Sequence, residues 1–257
     1  MENFVKTITA GLKELLISNS EVISAWEGGS AATGYKDELS DLDLVLICKD
    51  QSVDEIFKQI EKFLDRNYRI KTTFQVPQPA WHGHSQKFYI LHQSPDLFYV
   101  DLLIQKESAG NRFLEPDRHG NAQVWFDKQG LINPVLSDAE EAKKKMAKMF
   151  WIIEQSYELL IRDVKKQLVR KNLIDAMDEY QVLVSRRLVP LLNFKYRPAK
   201  YDFGMRYTYR DFPQKICEKL ENLLLINNLN HLQEKLDCTQ KWIENLIDEH
   251  KPKFSCN

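Results

Sequence analysis

GGSAATGYKDELSDLDLVLI, residues 28–47, is the stretch on which the reading of the whole chain turns. Its second half, LDLVLI, is an apolar run broken only by Asp43, with Asp41 two residues earlier. Strand side chains alternate between faces, so Asp41, Asp43 and Val45 share one side while Leu42, Leu44 and Leu46 share the other. One face enters a core. The other brings two carboxylates to one place. Two anions held that close repel, and each would rise in pKa if left bare. A divalent cation removes the conflict, and hard carboxylate oxygens suit Mg²⁺, which keeps waters and takes phosphate oxygens as further ligands. The first half opens on Gly28, Gly29 and Ser30. Glycines let the backbone come close to a phosphate, turn amides can cradle it, and the Ser30 hydroxyl can donate to it. One short segment thus offers an anion cradle and metal ligands together.

Hydrophobic periodicity organises the flanks. Residues 2–17 carry Phe4, Val5, Ile8, Leu12, Leu15 and Leu16 at helical spacing, and 52–66 carry Val53, Ile56, Phe57, Ile60, Phe63 and Leu64 likewise. Strands are expected at 22–26, 42–47, 68–76, 87–92, 97–104 and 123–126, with a turn at 127–130 that takes Asp127. The character changes near Pro134. Ser137 and Glu140 have the spacing of a capping box, and helical patterns follow over 138–169, 171–195, 211–227 and 229–249. Strands with helices come first and helices alone come after. The expected fold is α+β, a mixed α/β domain over 1–135 with a central mixed sheet, followed by an all-helical bundle over 136–257.

The chain has 257 residues, 36 basic and 37 acidic, for a formal net charge of -1, which gives no whole-protein nucleic-acid footprint. Cys48, Cys217, Cys238 and Cys256 form no C-x-x-C pair and read as free thiols of a reducing cytosol rather than a zinc site or disulfide framework. With no apolar run of membrane-spanning length and no signal peptide, a cytoplasmic protein is expected.

Gly29-Ser30, a ten-residue gap and then Asp41-Leu42-Asp43 inside an apolar strand resemble the signature of the polymerase-beta-type nucleotidyltransferase superfamily. Within it, the layout resembles the bacterial aminoglycoside and lincosamide nucleotidyltransferases, with a small mixed α/β catalytic domain and then a helical substrate-binding domain. The loop and strand carry the specific part of the likeness; the helical half matches by layout. The resemblance implies Mg²⁺-dependent transfer of AMP from ATP to a hydroxyl of a small molecule, with two metal ions and release of pyrophosphate. It assigns Gly29 and Ser30 to the triphosphate and Asp41 and Asp43 to the metal. It also asks for a third acid on a neighbouring strand. Asp101, in the apolar run 97–104, fits that place either as metal ligand or as general base. A charge there is costly unless it is paired or metal-bound. Glu115 is the alternative base. Antitoxin-like relatives that modify protein or RNA are shorter and carry arginines after Gly-Ser, where this chain has Ala31, Ala32 and Thr33. A non-catalytic nucleotide-binding domain would not need all three acids.

Weaker signals remain. His82-Gly83-His84 after Trp81 reads as a solvent-facing connector or as part of a substrate cleft. Arg112, Arg118 and His119 lie in a polar connector from which a triphosphate is within reach. YDFGMRYTYR, residues 201–210, either packs an interhelical turn or stacks on a ligand. Asp175, Asp178 and Glu179 sit on a helix with apolar positions at Ile174, Met177 and Leu183, as a solvated face or a surface for a cationic acceptor. Trp151 and Tyr157 fit core positions of the first long helix.

Overall fold

A computed structural model describes residues 2–254. The chain forms two compact units that divide between Leu136 and Ser137.

The first unit contains helices α1 (Glu2–Ser18), α2 (Gly29–Thr33), α3 (Val53–Tyr68) and α4 (Pro116–His119). Its strands are β1 (Val22–Glu27), β2 (Leu42–Cys48), β3 (Ile70–Gln75), β4 (Ser85–Leu91), β5 (Val100–Lys106) and β6 (Gln123–Asp127). They make one six-stranded sheet in the order β3-β4-β5-β2-β1-β6. Only β2 and β5 run parallel; the other pairs are antiparallel. The sheet is therefore mixed, and its parallel pair needs a crossover, which α3 with the β3-β4 hairpin supplies.

The two faces of the sheet differ. On one, Ile8, Leu12 and Leu16 of α1 and Ile56, Phe57, Ile60 and Leu64 of α3 join Leu42, Leu44, Leu46, Tyr89 and Leu102 in a single core. On the other, a small cluster of Ile23, Trp26, Ile47 and Leu114, with Val45, Leu131 and Ile132, covers the β1-β2 side. Asp127 closes this side. It ends β6 rather than lying in a loop, and its carboxylate accepts from Ser24 Oγ and from the Leu131 and Ile132 amides.

The second unit is helical, with α5 (Ala139–Arg170), α6 (Leu173–Leu183), α7 (Val189–Tyr196), α8 (Thr208–Asp211), α9 (Gln214–Leu224) and α10 (Leu229–Phe254). Four of its details differ from the sequence reading. The cap of α5 is Asp138, which accepts the Glu140 and Glu141 amides, rather than Ser137. An ionised carboxylate is the better partner for a helix N-terminus. The helix expected over 171–195 is interrupted by a π turn, Val184–Leu188, ahead of Pro190, which has no N–H to give the ladder. Pro213 likewise separates α8 from α9. Trp151 and Ile174, read as apolar core-face positions, are 62% and 84% exposed, because the core stripe of α5 runs through Met146, Phe150 and Ile153 and that of α6 through Ala176, Tyr180 and Leu183. Tyr157 does pack against the core. Cys48 and Cys217 are buried free thiols and Cys238 is an exposed one; Cys256 lies outside the described residues. Among the described residues, no helix is long and apolar enough to cross a membrane.

Candidate active site

The register of the parallel pair builds the site. Asp43 on β2 stands directly opposite Asp101 on β5. Adjacent strands lie about 4.8 Å apart, so residues in register on one face are close neighbours. Asp41, just before β2, joins from the side, its Oδ1 accepting the Tyr99 amide at 3.1 Å. The three acids proposed from sequence therefore converge at the C-terminal side of the β1-β2 turn and the head of β5.

Their electrostatics follow from this crowding. Asp43 is pushed up to about 6, first by burial, then by the Asp41 and Glu27 charges, with the Ser30 amide working the other way. Asp101 is also pushed up to about 6 by burial, and the Asp43 and Asp41 charges add to this against one hydrogen bond from Gln86. Burial raises Asp41 as well. The Tyr99 hydroxyl rises to about 12, through burial and then the Asp41 charge.

The glycine turn is fitted to Asp43. Gly29 has φ +49, and a Cβ there would lie 1.8 Å from Asp43 Oδ2, so only glycine lets the carboxylate sit under the turn. The Gly28 amide donates to the Asp43 carbonyl at 2.8 Å, and the Ser30 amide faces the Asp43 carboxylate. The segment expected as a loop continues as α2, a five-residue helix. Gly120, at φ +80, brings α4 against α2: its Cβ would lie 2.4 Å from the Ala32 carbonyl, and the Asn121 amide donates to that carbonyl at 2.8 Å. Arg118 and His119 on α4 thereby stand beside the turn. Arg112 does not join them; its guanidinium is spent on the Lys106 and Glu107 carbonyls. Glu115 stands at the N-cap position of α4 without a side-chain capping bond, its Oε2 3.9 Å from His119 Nε2, and it is not among the charges that act on Asp43 or Asp101.

Several neighbours were not foreseen. Glu27 accepts from Lys36 at 2.8 Å and from Trp125 Nε1 at 3.1 Å, and it adds a fourth carboxylate beside Asp43. Gln86 Nε2 donates to Asp101 Oδ1 at 2.7 Å. The row that begins with Asp43 and Asp101 continues across the sheet through Phe88 on β4 to Phe74 on β3. Phe74 and Phe88 stack with centroids 6.1 Å apart, and Phe88 lies 6.1 Å from Tyr99. Phe74 and Tyr99 remain exposed, at 56% and 37%. Only strand register reveals this row, since 74, 88 and 101 have no common spacing in sequence. The connector with His82 and His84 is not solvent-facing throughout: His84 is buried, and burial holds it near 4.

The donor set fits a hard divalent cation. It is made of carboxylate oxygens, and two of them face each other without an interposed positive charge. Among the described residues, no three His, Cys, Asp or Glu side chains are close enough to hold a metal by themselves.

The profile of the streptomycin adenylyltransferase family matches residues 19–254, from just after α1 to the end of α10. The chain belongs to that family. It is a nucleotidyltransferase enzyme of the adenylyltransferase kind, and its mixed six-stranded sheet with a helical C-terminal region has the corresponding fold. Comparison with curated proteins gives no match. Among solved structures, an aminoglycoside 6-adenyltransferase from Bacillus subtilis is 12% identical with a TM-score of 0.36, over 96% of this chain and 89% of that one. A nucleotidyltransferase-like protein from Exiguobacterium sibiricum 255-15 is 14% identical with a TM-score of 0.39, over 97% of this chain and 77% of that one.

Proposed function

We propose that this adenylyltransferase moves AMP from ATP to a hydroxyl of a small, ring-bearing, polyhydroxylated acceptor of the aminoglycoside kind, and releases pyrophosphate. The observation that carries the reading is the in-register pair Asp43–Asp101 beside the Gly29 turn. Gly29 and Ser30 receive the triphosphate through the Gly29 amide and the Ser30 hydroxyl. Asp41, Asp43 and Asp101 would hold Mg²⁺, as two ions. When bound, that metal supplies positive charge to the phosphate oxygens and to the leaving pyrophosphate.

The acceptor oxygen forms a bond to the α-phosphorus as the bond from that phosphorus to the bridging oxygen of pyrophosphate breaks. The hydroxyl proton goes to a carboxylate, and Asp101, in register with Asp43, is placed to take it. In-line displacement places the entering hydroxyl opposite the leaving group. The turn lies on the β1 side of Asp43, so the acceptor belongs on the β4-β3 side, over Tyr99, Phe88 and Phe74. Aromatic faces with carboxylates at one end suit rings that carry ammonium groups. The helical unit, 136–257, is assigned to acceptor binding, and ATP as donor places the reaction in the cytoplasm.

The test is labelled ATP with Mg²⁺ against a panel of streptomycin, other aminoglycosides, lincosamides, proteins and RNA, with pyrophosphate release followed. A labelled small-molecule product is expected. Labelled protein or RNA would change the acceptor class, and the absence of both product and Mg²⁺-dependent ATP binding would sink the assignment.

A further inference from the structure

Asp101 does not stand alone on its strand. Gln86, on the same open face of β4, gives its side-chain Nε2 to Asp101 Oδ1 at 2.7 Å. The other end of the same amide, Oε1, lies 3.2 Å from His82 Nε2. The second nitrogen of that imidazole, Nδ1, accepts the His84 backbone N–H at 3.1 Å.

This order assigns the protons. A backbone amide can only donate, so Nδ1 of His82 accepts and carries no hydrogen. The neutral ring must then carry its hydrogen on Nε2, which donates to Gln86 Oε1. Gln86 has only its NH₂ left to offer Asp101. A flipped amide would set a carbonyl oxygen against the carboxylate and an NH₂ against the imidazole N–H, losing both bonds and adding two repulsions. The imidazole is itself held in place. It lies edge-on to Trp81 at 5.1 Å, stacks on His84 at 5.7 Å and meets Phe113 at 6.3 Å, while Gln78 Nε2 donates to the His84 carbonyl at 3.2 Å.

We infer that His84 N–H, His82 and Gln86 form a one-way hydrogen-bond relay that pins Asp101 by Oδ1 and leaves Oδ2 as the oxygen available to a cation or to a hydroxyl proton. Gln86 and His82 are then positioning residues for the transfer. Their kinetic role rests on the reading of Asp101 given above; the relay itself does not.

The first measurement therefore needs no acceptor. Nitrogen-15 NMR of the full chain, labelled at histidine and glutamine, should show His82 protonated on Nε2 and bare on Nδ1. Asp101→Ala should move the Gln86 side-chain NH₂ resonances and, through them, His82 Nε2. A ring protonated on Nδ1, or one indifferent to Asp101→Ala, overturns the relay. The second measurement is kinetic. His82→Leu and Gln86→Leu should each lower kcat for pyrophosphate release about tenfold with KM for ATP unchanged. His82→Gln, whose amide nitrogen can stand in for Nε2, should recover to within about threefold of the parent. Leu variants with unaltered kcat, or a loss that His82→Gln does not recover, would overturn their positioning role. Should the parent protein release no pyrophosphate with any acceptor, the proposed transfer falls while the NMR still decides the relay.

Discussion

Asp211 in the helical unit and the Asp43–Asp101 pair in the sheet unit are all substantially desolvated acids, and they end in opposite states. Burial pushes Asp211 up, but Lys200 at 3.1 Å, Arg210 at 3.1 Å and Arg197 at 3.2 Å surround it and bring it below the ordinary aspartate range. Arg197 in turn also donates to Asn193 Oδ1 at 2.7 Å and to the Gly204 and Arg206 carbonyls. Among the described residues, no cation counts among the influences on Asp43 or Asp101, and both rise to about 6. The difference separates two uses of a partly buried charge. One completed by side chains of its own fold is structure. One left with like-charged neighbours calls for something from outside, and under the proposed function that is a cation with its phosphates.

The sharpest way to break this contrast is to neutralise one acid of the pair. Asp101→Asn should lower turnover about 1000-fold, the range for a lost general base, yet raise Tm in Mg²⁺-free buffer at about pH 7.5, because it removes a buried repulsion while its amide oxygen still accepts from Gln86. A fall in Tm would mean that the carboxylate is already compensated in the free protein. The opposite result is expected of Arg197→Ala. It strands Asp211 with one cation fewer and should cost about 3–5 kcal/mol of unfolding free energy, with kcat per folded molecule unchanged at low temperature. Chemical denaturation alongside pyrophosphate release measures both.

The site's first half was legible for a physical reason. Residues 42–47 lie on one strand with Asp41 just ahead of it, and strand alternation fixes which side chains share a face without any tertiary information. The same rule puts Asp101 on a face of β5, and a lone acid in an apolar strand marks itself. What stayed hidden was everything set by register between strands: Gln86 on Asp101, Phe88 and Phe74 in the same row, and Glu27 beside Asp43. Local competition explains the other misses. Asp138 outcompetes Ser137 for a cap one residue away, Pro190 and Pro213 interrupt runs whose periodicity alone looked continuous, and Trp151 and Ile174 sit beside a core stripe rather than in it. In residues 201–210, the sequence offered stacking or packing, and the structure shows Arg206 over Phe203 at 5.0 Å and Arg210 over Tyr207 at 4.1 Å within the unit itself.

Smaller effects sharpen the comparison. Gly29→Ala places a methyl where Asp43 Oδ2 lies and at φ +49, so the carboxylate must move; a loss of about 100-fold in kcat is expected, as for a misplacement near 1 Å. Turnover within twofold of the parent would show that Asp43 need not sit under the turn. The pH dependence has a definite sign. Because Asp43 and Asp101 are raised from 3.8 to about 6 in the folded chain, the native state binds more protons than the unfolded one between those values. Their contribution to stability is present below the unfolded pKa and is lost as pH rises through the folded one. In the proposed function Mg²⁺ binds the ionised pair. At ten times its Kd it should raise Tm by about 3–5 °C at about pH 7.5 and by under about 1 °C at about pH 5. An equal rise at both pH values would place the ion elsewhere.

The smallest effect tests how far the site extends beyond its acids. Phe88 continues the Asp43–Asp101 row and stacks on Phe74, and no charge or hydrogen bond of the reaction centre depends on its ring. If the row is where an acceptor ring lies, Phe88→Ala removes stacking worth about 0.5–1.5 kcal/mol. The KM for the acceptor should then rise about threefold to tenfold, with KM for ATP and the Mg²⁺-induced change in Tm unaltered. If KM for ATP rises instead, the aromatic row belongs to the adenine, and the entering and leaving sides of the site must be exchanged. If neither changes, the acceptor touches this unit only at the aspartates, and its selection falls to residues outside the sheet.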